Sequence, residues 1–241
     1  MEPKILPFDI FAIIKIQKWY RGTIFRLKRL PQILYYIQNH LQLCMYNCST
    51  QTDDGRINSC IDEEKIIDLL IEKFSVKIKR TKIRMWYDIL VFDTYYGWLP
   101  VNIKTTTTLT SDNTGNLAMC VYAYTDEQLI LEKMYENGKM SEILFKKIKE
   151  RQYNKKNKKD YYFIIMNKND RQDVIINSVK GLSFLTSNIN NLPFQICWKK
   201  NKTFNYGKIK NKIKMCIECL QKPKPCWKEI FMEKMRLITL D

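Results

Sequence analysis

No stretch of this 241-residue chain reaches the roughly eighteen unbroken apolar residues that cross a bilayer. The opening residues, Met-Glu-Pro-Lys-Ile-Leu-Pro-Phe-Asp-Ile-Phe-Ala-Ile-Ile-Lys, lack the basic, apolar, small order of a secretory signal. The expectation is an intracellular protein with no membrane partner. A second Cys-x-x-Cys to pair with Cys216-Ile-Glu-Cys219 is also missing, and residues 208–220 around it read as helix without the turn residues of a zinc knuckle. Cys226 near that pair, and the separate trio of His40, Cys44 and Cys48, complete no convincing ligand set either. The eight cysteines are therefore read as free thiols, since disulfides rarely persist in a reducing compartment. No internal repeat occurs at the periods of solenoids or propellers. Acidic residues are scarce, 25 against 41 Lys and Arg, and the resulting net charge of +16 attracts polyanions. Nucleic acid binding of that origin falls steeply with salt. The same balance would suit a membrane surface or an RNA-binding protein, and the abundance of Lys, Asn and Ile also fits an AT-rich genome.

Against these absences stands one dense segment. Asp88-Ile-Leu-Val-Phe-Asp93, Thr-Tyr-Tyr-Gly-Trp, and Leu99-Pro-Val-Asn-Ile-Lys104-Thr-Thr-Thr-Thr108 read as two strands joined by a glycine-containing turn. Side chains alternate along a strand, so Asn102 and Lys104 share one face while Val101, Ile103 and Thr105 take the other. Asp88 falls beside them. Hydrolysis of a phosphodiester at neutral pH calls for a divalent cation held by oxygen ligands. Asp88 and the Ile103 backbone carbonyl are candidate ligands, and Lys104 can orient an attacking water or stabilise charge on the phosphate. The plainer reading is a surface hairpin that happens to expose an acid and a lysine.

The order helix, strand, hairpin, helix, strand over residues 55–185 resembles the core of the PD-(D/E)xK restriction endonuclease superfamily. The first acid matches Asp88, the second matches Asn102 and the lysine matches Lys104. The string Asn-Ile-Lys-Thr-Thr resembles the Asp-Ile-Lys-Thr-Thr of one branch, and Pro100-Val-Asn-Ile-Lys104 with Ser111-Asp-Asn113 resembles type II restriction enzymes of the kind large DNA viruses encode. The resemblance implies an α/β (α+β) fold with a restriction-endonuclease-like core, a central mixed sheet flanked by helices and an N-terminal helical arm. It implies a magnesium-dependent, site-specific endonuclease acting on double-stranded DNA as a homodimer, with a DNA methyltransferase in the same system. Asp88, Asn102 and Lys104 would be catalytic. Asp88, Asn102, the Ile103 carbonyl and Glu63 would hold Mg2+, with Glu63 or Glu64 on the preceding helix making up the charge that an amide at 102 lacks. Asp93 is a weaker substitute because strand parity sends it to the opposite face.

Four other readings stay open: a DNA-binding protein that no longer cuts, a structure-specific or repair nuclease on the same fold, a plain surface hairpin, and a partner-binding protein. The last rests on Ile16-Gln17-Lys-Trp-Tyr-Arg21-Gly22-Thr-Ile-Phe-Arg26, which resembles the calmodulin-binding Ile-Gln pattern, a basic amphipathic helix suited to an apolar groove in an acidic partner.

Along the chain, residues 1–48 read as a basic helical arm broken at Pro31, 49–185 as the nuclease core and 186–241 as a strand and helices packed on it. Residues 47–58 read as a loop, Asp62 as the cap of a helix running to about residue 74, and Ser111 or Asp112 as the cap of a second helix. Thr105, Thr106, Ser111 and Asn113 are candidate phosphate contacts. Arg56, Asn58, Lys168 and Arg171 are further candidates for touching DNA. Residues 139–159 form a basic run, read as a solvated face or loop, and Tyr161-Tyr-Phe-Ile-Ile-Met166 reads as a buried central strand.

Overall fold

A computed structural model describes residues 30–44, 48, 53–82, 85–113, 117–153, 159–187 and 194–221. The Ile-Gln pattern, Cys226 and the helix expected at 227–237 lie outside them. In chain order the elements are α1 (Gln32–Leu43), α2 (Gly55–Lys73), β1 (Ile78–Arg80), β2 (Ile89–Asp93), β3 (Gly97–Thr106), β4 (Ser111–Asn113), α3 (Leu117–Tyr124), α4 (Asn137–Lys149), β5 (Tyr162–Asn167), β6 (Asp170–Ser178), β7 (Thr186–Ser187), β8 (Phe194–Cys197) and α5 (Ile209–Gln221), with a short 3-10 helix at Trp198–Lys200.

The fold is mixed α/β. Five strands form one sheet in the order β1-β2-β3-β5-β6, and β4, β8 and β7 form a smaller one. Within the large sheet only β3 and β5 run parallel. A parallel pair needs a long crossover, which here carries β4, α3 and α4.

Strand parity sorts the core into two layers. Leu99, Val101 and Ile103 of β3, with Tyr162, Ile164 and Met166 of β5, face α1 and α2 through Ile33, Leu34, Ile37, Ile66 and Leu70. Leu90, Tyr161, Phe163 and Ile165 face the other way, onto α3 and α5. All eight residues of α3 are buried, as expected of a helix that is apolar all round. Helix α1 is stitched to β6 as well as packed on the sheet, with Gln38 donating to the Val174 carbonyl at 2.6 Å.

Local chemistry explains the hairpin. Asp93 Oδ1 accepts from the Tyr95 and Tyr96 amides at 2.8 and 3.1 Å, so this acid closes the turn. Gly97, at φ +76°, takes the left-handed position that a three-residue hairpin loop requires.

Two expected boundaries are corrected. Helix α2 starts at Gly55 because Asp54 caps it, its side chain accepting from the Arg56 amide at 2.8 Å. Asp62 lies inside that helix and is buried, and residues 55–58, expected as loop, form its first turn. Ser111 and Asp112 cap no helix. They belong to β4, because pairing with Cys197 and Ile196 of β8 takes precedence over the local capping signal. The amide of Leu117, which opens α3, is satisfied by Asn137 Oδ1 at 2.7 Å. The first half of the basic run forms α4, with Lys146, Lys147 and Lys149 in its last turn, where cations complement the helix dipole.

Candidate active site

The ladder between β2 and β3 ends at Ile89 and Val101, and the chain bends one residue earlier, at Asp88. The Asp88 amide still donates to the Val101 carbonyl at 2.9 Å. Its side chain caps the exposed edge of β3, with Oδ2 accepting from the Ile103 amide at 2.7 Å. The amide and carbonyl of one strand residue point to the same edge, so the Ile103 carbonyl opens onto this gap too.

Lys104, two residues on from Asn102, reaches helix α2. Its Nζ lies 3.1 and 3.3 Å from the two carboxylate oxygens of Glu63, and the Thr105 amide donates to Glu63 Oε1 at 3.4 Å. Glu64, the other acid considered on this helix, pairs with Arg80 and stays within electrostatic reach of Asp88. A cavity of about 600 Å3 opens between α2, β1 and the connection 81–88, with Glu63, Glu64 and Asp88 in its wall beside Arg80, Lys82 and Tyr87.

Burial sets the electrostatics. It pushes the Asp88 carboxyl above its ordinary value against the pull of Lys104 and the Ile103 amide. Burial likewise raises Glu63, with Lys104 opposing. Burial would lower Lys104, but the carboxylates of Glu63 and Asp88 outweigh it and the amine titrates above its usual range. Lys104 is thus a fixed ammonium at neutral pH, suited to stabilising an anion rather than accepting a proton.

Asn102 sits on the same face as Lys104, and its Oδ1 is buried without a hydrogen-bond partner. Such an atom costs free energy unless something satisfies it. A hard cation would do so, with Asp88, Asn102 Oδ1 and the Ile103 carbonyl as an all-oxygen donor set of the kind magnesium takes. Among the described residues there is no group of three His, Cys, Asp or Glu that could hold a metal. The fit therefore depends on the amide and the carbonyl.

The candidate DNA contacts divide. Thr105 and Thr106 are buried, their hydroxyls donating to the Ser59 carbonyl at 3.4 Å and Asp112 Oδ1 at 3.2 Å. Asn58 is buried in α2. Arg56 and Arg171 are exposed, while Lys168 lies 2.8 Å from Ser59 Oγ at the start of α2. Ser111 is half-buried in β4, where Asn113 pairs with Gln195 of β8.

Sequence reasoning passed over two residues. Asp112, weighed only as a helix cap, has a buried Oδ2 without a hydrogen-bond partner and a carboxyl raised by burial, within electrostatic reach of Lys104. Tyr161, read only as part of a strand, donates to the Trp86 carbonyl at 2.8 Å. No local pattern marks either one, since both roles come from contacts between distant segments. Neither family models, nor curated proteins, nor solved structures give a match to this chain.

Proposed function

We propose that the chain is a magnesium-dependent endodeoxyribonuclease of the PD-(D/E)xK type, cutting double-stranded DNA at a specific short site in the manner of a type II restriction enzyme. The observation that supports this reading is the Asp88 carboxylate on the Ile103 amide where β2 parts from β3, between Asn102 and Lys104 in the strand, with Glu63 of α2 paired to Lys104. The elements α2, β1, the β2–β3 hairpin, α3 and β5 follow the order that the resemblance implies, with β4 and α4 interposed. The net charge of +16 suits a polyanionic substrate. A twofold target would call for two copies of the chain.

Asp88, Asn102 and the Ile103 carbonyl would hold the cation. When bound, it supplies Lewis-acid polarisation of the phosphate and a more acidic water. Lys104 presents a permanent positive charge to the phosphate as negative charge develops, and orients the attacking water. Glu63 keeps the Lys104 side chain in place. The half-buried setting of Lys104 and Glu63 strengthens these interactions over those in bulk water.

A second reading, DNA binding without cleavage, is favoured by one feature: the amide at 102 leaves the donor set one negative charge short. Incubation of the purified chain with long unmethylated DNA, with and without magnesium, separates the two. Discrete fragments that require the metal are expected, with loss of about 10²–10³ in rate for Lys104→Ala. Salt-sensitive binding with no fragments under any divalent metal would replace the first reading by the second.

A further inference from the structure

One face of α2 lines the recess beside Asp88, where Cys60, Glu63, Glu64 and Ile67 fall at the three- and four-residue intervals that bring helical side chains together. The connection 81–88 adds Met85 and the ring of Tyr87. The Tyr87 hydroxyl donates to the Leu131 carbonyl, so only the ring is left to meet a ligand. Arg80 and Lys82, both exposed, bring two cations to the same wall. A volume of about 600 Å3 falls within the about 300–1,000 Å3 of small-molecule sites. That is room for one nucleotide and not for a duplex. Asp88 and Glu63, the two carboxylates of the nuclease reading, nevertheless stand in this wall.

We propose that the recess is a pocket for one unpaired nucleotide, extruded from the duplex beside the phosphate to be cut. The proposal rests on the nuclease reading and adds the class of substrate: DNA that is unpaired, or readily unpaired, at the point of cleavage. Ile67, Met85 and Tyr87 meet the flat faces of the base, and Arg80 and Lys82 meet the flanking phosphates. Arg80 can exchange its present partners for phosphate, because Glu64 and Asp68 have side chains 63% and 71% exposed and pairs so exposed contribute little. Extrusion costs unstacking and unpairing energy, least where the base has no partner to leave. A bulge or mismatch is therefore bound ahead of intact duplex.

The test is fluorescence anisotropy of the full chain with two labelled DNAs in chelator, so that neither is cut: a duplex with one unpaired adenine nucleotide in its middle, and the same duplex without it. The bulged duplex is expected to bind about tenfold or more tightly than the paired one. Cys60→Trp sets an indole in the recess from an exposed helix position. It should bring the bulged duplex down to the affinity of the paired one and leave paired binding unchanged. Equal affinity of the unaltered chain for the two DNAs would overturn the pocket and leave the nuclease reading standing, as would a preference that survives intact in Cys60→Trp. The comparison in the unaltered chain needs no substitution, so it decides even if Cys60→Trp does not fold. No binding to either DNA at low salt would overturn the pocket and the nuclease reading together.

Discussion

Replacing Lys104 by methionine keeps most of the apolar stem and removes the ammonium that pairs with Glu63. The partner left behind is Glu63, whose side chain is 17% exposed against 29% for Lys104. At 3.1 Å and an effective dielectric of about 20, the pair attracts by about 5 kcal/mol before desolvation is subtracted. Breaking a fully buried pair costs about 3–5 kcal/mol and an exposed one about 0–1 kcal/mol. This half-buried pair falls between, at about 2 kcal/mol, which in a domain of this size lowers Tm by about 4–8 °C. The loss depends on pH. The folded-state pKa of Glu63 is already raised by burial, and removing Lys104 raises it further. A raised carboxyl pKa contributes stability fully present below the unfolded value and lost as pH rises through the folded value. Lys104→Met should therefore be weakened most above the folded-state pKa of Glu63 and regain stability as pH falls toward the ordinary carboxylate range. Glu63→Gln in the same chain should remove most of that dependence. Urea midpoints across pH measure it. A Lys104→Met protein as stable as wild type at the alkaline end, with the same pH profile, would refute the argument that Glu63 relies on Lys104.

Leu70→Ala opens a cavity between α2 and the sheet, where Leu70 is fully buried, and should cost about 2–5 kcal/mol by denaturant unfolding. Gly181→Ala should destabilise the junction after β6 by about 1–3 kcal/mol, because a Cβ there would overlap the Asn177 carboxamide and the Phe204 ring; proteolysis of the folded chain checks it. Arg80→Ala removes pairs to Glu64 and Asp68 whose side chains are 63% and 71% exposed, so stability should change by less than about 1 kcal/mol, and by less still in high salt.

The hairpin was legible in the sequence because its information is local. Alternation is a property of each strand, so the shared face of Asn102 and Lys104 follows from spacing alone. The continuous apolar run of β5 announced a central strand for the same reason. The sequence expectation starts α2 at Asp62 whereas Asp54 caps it, because propensity ranks cap types without choosing among copies. The sequence marks a helix start at Ser111, where β4 forms instead, because the strand's partner, β8, is remote in the chain.

What the sequence by itself determined is which groups are neighbours: an acid just before β2, an amide and a lysine on one face of β3, and a net positive charge. Tertiary structure alone decided how those groups are bound. It set Glu63 on Lys104 across 41 positions and tied the Tyr161 hydroxyl to the Trp86 carbonyl across 75. It also took Thr105 and Thr106 into the interior. The physical reason is that hydrogen-bond direction, burial and pKa depend on which distant segment arrives and how much water it displaces. Side-chain type and spacing carry neither quantity.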